Sequence, residues 1–238
     1  MADTHILFLD IETVPQQASW HDLDERGARL WAHKVRNLRT EDSPETHYPR
    51  AGIYAEFGKV IVISVGFLHH QGSKLHLRIK SFAAEDEKQL LTDFGELCST
   101  ADPTDNRRAR FRNLCAHNGK EFDFPFLARR MLIHGIPLPA LLDQRGKKPW
   151  ETPYLDTMEM WRFGDYKQFT SLSLLAYCFG IPCPKNDIDG SEVYRVYYQD
   201  NDLERIARYA QSDVWTLVQV YRRLQNQDLL REDQVIYR

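Results

Sequence analysis

Two acidic residues near the start of the chain are the first that could do chemistry. Asp10 and Glu12 follow the apolar run 6–9, which predicts that they lie at the end of a buried strand. Residues two apart on a strand point to the same side, so both carboxylates can converge on one cation. A divalent ion would relieve the repulsion between them. Taken alone, the pair is equally consistent with ordinary solvated acids at a strand end.

Two further segments place acids on predicted helices. Asp123 follows a predicted strand at 111–116 and would begin a helix, where the helix dipole favours negative charge. Taken alone, a simple helix cap is the better interpretation of this residue. Tyr209 and Asp213 lie four positions apart on the last predicted helix, so their side chains are neighbours on one face. A core tyrosine beside a surface acid is the simpler interpretation of that pair.

The elements that must position these residues form an α/β pattern. Apolar, β-branched and alternating segments predict strands at 6–11, 59–68, 75–82, 111–116 and 154–157. Helical spacing and capping signals predict helices at 86–97, 123–134, 171–179, 191–198 and from a cap at Asp200 or Asn201 to about 225. This order predicts one mixed sheet covered by helices.

The stretch 16–57 is polar and separates the first two predicted strands. Its segment 22–38 has helical spacing, so we expect an insertion with one helix and a mobile loop. A chain of 238 residues is long enough to bury one sizeable core. The prediction is therefore a single α/β domain, 1–238, with an insertion after the first strand.

Composition and charge restrict the partners. A net charge of −3 and a pI of about 6.3 argue against tight, sequence-independent binding of long DNA duplexes. The same charge and pI are compatible with an enzyme that binds a short strand end, because metal ions held by acidic residues can bind its phosphates. Every apolar run is far shorter than the roughly 20 residues of a membrane helix, and the four cysteines lack zinc-finger spacing. We expect a cytoplasmic protein with reduced, mostly buried thiols and no membrane contact.

The order of the three acidic signals is more informative than any one of them. The segments LFLDIETVP at 7–15, AHNGKEFDFPFL at 116–127 and YAQSDV at 209–214 resemble the motifs of the DEDD superfamily of 3′→5′ exonucleases. The tyrosine spacing indicates the DEDDy branch, because DEDDh relatives carry His five residues before the last Asp, where this chain has Arg208. More narrowly, nearly the whole chain resembles bacterial proteins described as related to the exonuclease domain of family B DNA polymerases.

The resemblance implies a ribonuclease-H-like fold and a two-metal mechanism. Ligands that are all oxygen atoms favour Mg²⁺ or Mn²⁺ over Zn²⁺. Asp10 would bridge both ions, and Glu12 and Asp213 would bind the ion that carries the attacking water. Asp123 would act on the other ion. Tyr209 would orient the water, because a phenol with a pKa of about 10 is a poor base at neutral pH.

The resemblance also implies a nucleotide pocket and a substrate. Thr13, Asn118 and Phe122 occupy positions that line the terminal-nucleotide pocket in the family, and Phe122 would stack on a base. A core position explains Phe122 almost as well. The expected activity is metal-dependent 3′→5′ release of nucleoside monophosphates from single-stranded DNA, or RNA, in DNA repair. The alternatives are a catalytically inactive nucleic-acid-binding module and a metal-dependent phosphohydrolase of nucleotides or dinucleotides.

Other polar residues are interpreted as structural. His117 is not at the catalytic histidine position of the family, and Asp156 is expected to make a structural hydrogen bond. The roles of Asp187 and Asp189 are left open. Two basic clusters are more simply solvated loops than guides for a nucleic-acid backbone. They are Arg107, Arg108, Arg110 and Arg112, and Arg145, Lys147 and Lys148.

Overall fold

A mixed β-sheet forms the centre of the fold in a computed structural model that describes residues 3–38, 43–103, 108–165, 167, 169–182 and 188–238. Its six strands within these residues are β1 (Ile6–Pro15), β2 (Gly58–Gln71), β3 (Lys74–Ala83), β4 (Asn113–Ala116), β5 (Tyr154–Asp156) and β6 (Val235–Tyr237). They lie in the order β5-β4-β1-β2-β3-β6. The β1–β2 and β2–β3 pairs are antiparallel, and the other pairs are parallel. The predicted mixed sheet is confirmed, and β6 was not predicted.

Helices cover both faces of this sheet. In the described residues they are α1 (Glu25–Val35), α2 (Pro44–His47), α3 (Glu87–Cys98), α4 (Asp123–Ile133), α5 (Thr157–Arg162), α6 (Leu172–Cys178), α7 (Val193–Arg195) and α8 (Leu203–Leu224). A π-helical turn, Val196–Asp200, precedes α8. The predicted cap of α8 at Asp200 or Asn201 is wrong, because Asn201 has a φ of 52° and closes the π-helical turn. Asp202 caps α8 by accepting a hydrogen bond from the Arg205 N–H.

The two faces of the sheet bury separate apolar clusters. Leu7, Leu9 and Ile11 of β1 pack with β2, α3 and α4. Phe8 packs on the opposite face, against Trp215 and neighbouring residues of α8. Side chains alternate along a strand, so Asp10 and Glu12 lie on the α8 side of the sheet.

The segment 16–57 forms a small aromatic cluster of its own. Trp31 of α1 is fully buried, and its indole Nε1 donates a hydrogen bond to the Pro44 carbonyl at 2.7 Å. Its ring also makes an edge contact with Tyr48, at 5.7 Å between centroids. The expectation of one helix and a mobile loop was therefore incomplete, because the described part of the segment has two α-helices, two 3-10 helices and a core. Residues 39–42 lie outside the described residues.

A buried ion pair anchors α4 to the rest of the fold. Arg130 Nε donates to Glu87 Oε1 of α3 at 2.9 Å, and Arg130 Nη1 donates to the Ala55 carbonyl at 2.9 Å. Glu87 Oε1 also accepts from the Val60 N–H at 2.7 Å. Burial would raise the pKa of Glu87, but hydrogen bonds from Arg130, Val60 and His134 outweigh it and hold the pKa below its ordinary value. One carboxylate thus ties α3, α4 and β2 together.

The cysteines and the helices can be compared with the expectations from the sequence. Cys98 and Cys115 are buried as predicted, and Cys178 is exposed. None of the helices that the structure describes has both the length and the apolar composition to cross a bilayer. Three residues discussed from the sequence lie outside the described residues: Arg107, Cys183 and Asp187.

Candidate active site

Three carboxylates from opposite ends of the chain meet between β1 and α8. Asp10 and Glu12 project from β1, and Asp213 projects from the facing side of α8. One oxygen of each lies within 4.8 Å of the others. Glu12 is 8% exposed, and Asp10 and Asp213 are partly buried. The alternatives of solvated acids and of a surface Asp213 therefore do not describe this site.

An irregularity in the sheet lies beside Glu12. Glu12 pairs with Val62 and Thr13 pairs with Val60, which leaves Ile61 as an extra residue on β2. Ile61 and Val62 both pack under the amino-terminal half of α8, against Ala210 and its neighbours. Bulges are known to re-aim side chains next to active sites. The bulge at Ile61 lies under the half of α8 that carries Tyr209. No sequence pattern indicated this bulge.

The fourth acid, Asp123, is the first residue of α4 and is 5% exposed. It does not cap the helix with its side chain, since the preceding Phe122 occupies the cap position. The N–H groups of Asp123 and Ile11 favour its ionised form, and its charge acts on Asp10 and Glu12. Asp123 thus lies next to the three clustered acids, but its carboxylate oxygens are not part of the group whose oxygens lie within 4.8 Å of one another.

The four acids stand in a buried, mutually repulsive environment. Burial, followed by the charges of Glu12, Asp213 and Asp123, raises the pKa of Asp10 well above its ordinary value. Burial raises the pKa of Asp123 to about 7 and that of Asp213 to about 6. Burial, followed by the charges of Asp213 and Asp123, also raises the pKa of Glu12. The charges that raise the pKa of Asp10 come from three other acids of the described residues, so a cation would be attracted to the cluster.

The donor set fits a hard divalent cation. Asp10 Oδ2 is buried and has no hydrogen-bond partner in the described chain, although buried polar atoms are normally paired. The three converging ligand atoms are all carboxylate oxygens, which Mg²⁺ and Mn²⁺ prefer. A cation would both satisfy the orphaned oxygen and offset the repulsion. Asp10, Glu12 and Asp213 are the residues that could hold it, with Asp123 beside them.

Tyr209 lies one helical turn before Asp213, as its spacing predicted. Its side chain is partly buried, and Asp213 acts on its hydroxyl. Burial, then the charges of Asp213, Glu12 and Asp10, raise the pKa of Tyr209 above its ordinary value. The phenol therefore stays protonated at neutral pH. A Cβ built on Gly190 would come within 3.9 Å of the Tyr209 hydroxyl, so the loop before α7 approaches it closely.

The three predicted pocket residues differ in their surroundings. Thr13, Asn118 and Phe122 are all partly buried. Asn118 has a φ of 62°, and its Oδ1 is buried without a partner in the described chain. The Phe122 ring contacts Phe126 at 5.4 Å between centroids and packs on the core. Asn118 thus offers an unused acceptor, whereas Phe122 is at least partly a core residue, and stacking on a base stays a prediction.

The loop that carries the second motif is held by two side chains outside the acidic cluster. Asp156 at the end of β5 accepts hydrogen bonds from the N–H groups of Asn118 at 3.0 Å and Lys120 at 3.1 Å. His117 contacts the Thr157 hydroxyl at 2.9 Å and the Thr170 carbonyl at 2.8 Å. The structural interpretations of Asp156 and His117 are confirmed.

The sequence did not reveal why Gly119 occupies this loop. A Cβ there would lie 2.4 Å from the Ala116 Cβ and 3.0 Å from the ring of Phe124, so a side chain cannot fit without movement. The dipeptide Asn118-Gly119 was the available signal, and it indicated only a turn.

The chain is similar to known proteins in both sequence and structure. Residues 53–234 match the family described as predicted 3′–5′ exonucleases related to the exonuclease domain of PolB. A family B DNA polymerase from the hyperthermophilic archaeon Pyrobaculum calidifontis matches with a TM-score of 0.56 and 16% identity. That match covers 92% of this chain and 24% of the polymerase chain. No curated protein matches the sequence.

The structural match supports the fold and, at its low identity, nothing further. The predicted ribonuclease-H-like mixed sheet covered by helices is confirmed. The matched range contains Asp123, Tyr209 and Asp213, whereas Asp10 and Glu12 precede it and are brought to the site by the fold. Since the family match covers more than half of the sequence, the chain belongs to the family of predicted 3′–5′ exonucleases related to the exonuclease domain of PolB.

Proposed function

We propose that this chain is a metal-dependent 3′→5′ exonuclease that removes nucleoside monophosphates from the 3′ end of single-stranded DNA, or of RNA. The convergence of Asp10, Glu12 and Asp213 on one partly buried point carries the proposal. Three like charges held this close destabilise a fold unless a cation binds them. Family membership supplies the reaction class.

The acids would act as ligands and the protein would keep them in place. Asp10, Glu12 and Asp213 would hold divalent cations, and Asp123 would complete the set, as the resemblance implies. Two bound Mg²⁺ or Mn²⁺ ions supply neutralisation of phosphate charge and a water of lowered pKa. The fold contributes the rigid strand and helix from which these side chains project.

Tyr209 would orient the attacking water and would not remove its proton. Its raised pKa leaves the hydroxyl protonated, and its position one helical turn before Asp213 supports donation toward the cluster. A hydroxyl that both donates and accepts can hold a water between itself and a carboxylate.

The strand end would enter beside the second-motif loop. The unpaired Asn118 Oδ1 would accept a hydrogen bond from the terminal nucleotide, with Thr13 and Phe122 as further contacts. Such contacts would receive one unpaired strand end, which is compatible with the acidic net charge of the protein.

The direct test uses a 5′-labelled single-stranded DNA oligomer with Mg²⁺, Mn²⁺ or EDTA. We expect a ladder that shortens from the 3′ end only when metal is present. Asp10→Asn and Asp213→Asn should lower the rate roughly 10³-fold, since a metal site supplies several kcal/mol of transition-state stabilisation. Glu204→Gln is the matched control, because Glu204 is an exposed acid on the same helix.

A second readout separates binding from catalysis. Mn²⁺ titration followed by electron paramagnetic resonance should show weaker binding in Asp10→Asn and unchanged binding in Glu204→Gln. Intact DNA and RNA with every metal, together with undiminished oligomer binding, would instead favour the inactive nucleic-acid-binding module. Degradation of dinucleotides but not of longer strands would favour the phosphohydrolase alternative.

A further inference from the structure

A cavity of about 400 Å³ lies along the outer side of α4. The helix contributes Phe124, Ala128 and Leu132, which are spaced four residues apart and therefore share one face. The loop after α4 contributes Leu138 and Leu142 from the other side. Leu132 is 51% exposed, so apolar surface remains open to solvent along this groove.

Cations surround this apolar floor. Lys120, Arg129, Arg145 and Lys147 all line the cavity. Lys120 and Arg145 are each held by a neighbouring carboxylate. Arg129 and Lys147 are exposed, and neither has an ion-pair partner among the described residues. The whole chain carries a net charge of −3, so this positive rim is a local feature.

The lining suits an aliphatic side chain better than a nucleic-acid base. Bases bind single-strand sites mainly by stacking on open aromatic faces. Here Phe124 is fully buried, and its ring lies 4.3 Å from that of Tyr154 at an angle of 33°. The two rings thus pack against each other at a tilt, and the most exposed apolar side chain of the lining is that of Leu132.

We propose that this groove binds a short acidic peptide segment of a partner protein, with one or two apolar side chains on the floor and carboxylates at the rim. The volume lies within the range of sites that enclose a small group. The unpaired rim cations, Arg129 and Lys147, would face the acidic residues of the peptide. The groove does not include the carboxylate cluster, so the proposal stands independently of nuclease activity.

Fluorescence anisotropy with a labelled peptide of several aspartates followed by two leucines tests the proposal. We expect a Kd of roughly 1–100 μM, typical of a small and transient contact. Replacing the leucines by serine, or the aspartates by asparagine, should weaken binding about tenfold or more, and high salt should weaken it as well.

Two neighbouring residues of α4 provide a matched pair of variants. Leu132→Glu should weaken peptide binding about tenfold, because it removes floor contacts and repels the peptide. Ile133→Glu should leave it unchanged, since Ile133 is similarly exposed at 54% but does not line the groove. Arg129→Ala should weaken peptide binding by less than Leu132→Glu does. It keeps the proposal testable if circular dichroism shows that Leu132→Glu is misfolded.

Three results would overturn the proposal. The first is failure of the wild-type protein to bind the peptide, and the second is an equal loss of peptide binding in Leu132→Glu and Ile133→Glu. The third is a Leu132→Glu variant that binds oligothymidylate more weakly than wild type but binds the peptide equally well. The last result would identify the groove as a nucleic-acid subsite. An inactive nuclease that still binds the peptide would leave the proposal intact.

Discussion

Asp123→Asn removes one charge from the acidic cluster and keeps the shape of the side chain. Asparagine keeps an Oδ1 acceptor toward the N–H groups of residue 123 and Ile11, which favour the ionised Asp123. Asp123 is 5% exposed, and burial raises its pKa from 3.8 to about 7. In the absence of metal, this raised pKa lowers the stability of the fold once the pH exceeds 3.8, and the loss is complete above about pH 7.

The size and sign of the effect follow from proton linkage. A carboxyl whose folded pKa is raised binds its proton more tightly in the folded state, so stability falls as pH rises from 3.8 through about 7. The difference corresponds to about 4 kcal/mol at 1.36 kcal/mol per pH unit. We expect Asp123→Asn to be more stable than wild type by about 4 kcal/mol at pH 8 and by about 2 kcal/mol at pH 5.

Urea unfolding in EDTA at both pH values measures this difference. Glu121→Gln is the control, because Glu121 precedes Asp123 by two residues and its side chain is 66% exposed. The control should change stability by no more than about 0.5 kcal/mol. Saturating Mn²⁺ should stabilise wild type, by about 2.7 kcal/mol at 100 times Kd, and so narrow the gap. If Asp123→Asn in EDTA is no more stable at pH 8 than wild type, the acid is not under electrostatic strain and the reasoning fails.

Three further substitutions test the tyrosine, the ion pair that anchors α4 and the second-motif loop. Tyr209→Phe should lower kcat roughly 10²-fold while Mn²⁺ affinity, measured by titration, stays within about twofold; a large loss of affinity would show that the hydroxyl supports the ligands instead. Glu87→Gln should destabilise the protein by about 3–5 kcal/mol at pH 7 by leaving Arg130 uncompensated. That loss should shrink in urea titrations as pH falls through the lowered pKa of Glu87, and an unchanged loss at acidic pH would contradict the assignment. Gly119→Ala should cost about 1–3 kcal/mol and reduce nuclease activity, whereas full activity would show that the loop adapts.

Local patterns predicted the elements that carry the site. The alternation on the first strand placed Asp10 and Glu12 on one side, and the four-residue spacing placed Tyr209 beside Asp213. Each of these rules acts over a few residues, where backbone geometry alone decides the outcome. The three-residue strand β6 gives too short a pattern to be recognised, and it forms because β3 offers a free edge.

Features that depend on contacts between distant segments were not predicted. The extra residue Ile61 on β2 is recognisable only when the register with β1 is known. The same holds for Trp31, whose burial depends on Pro44 and Tyr48 folding back over α1. Asp202 caps α8, and not Asp200 or Asn201, because those two residues belong to the end of the preceding π-helical turn.

The energetics of the cluster bear on the choice between an enzyme and an inactive binding module. Burial raises the pKa of each of the four acids, so each one destabilises the metal-free fold at neutral pH. A module that only bound nucleic acid would gain stability by replacing any of them with a neutral residue, and it would lose the repulsion that carboxylates exert on phosphate. Cations reverse both effects, because they stabilise the ionised acids and attract the phosphate. The presence of all four acids and the neighbouring tyrosine therefore supports the proposed metal-dependent cleavage over the alternative of binding alone.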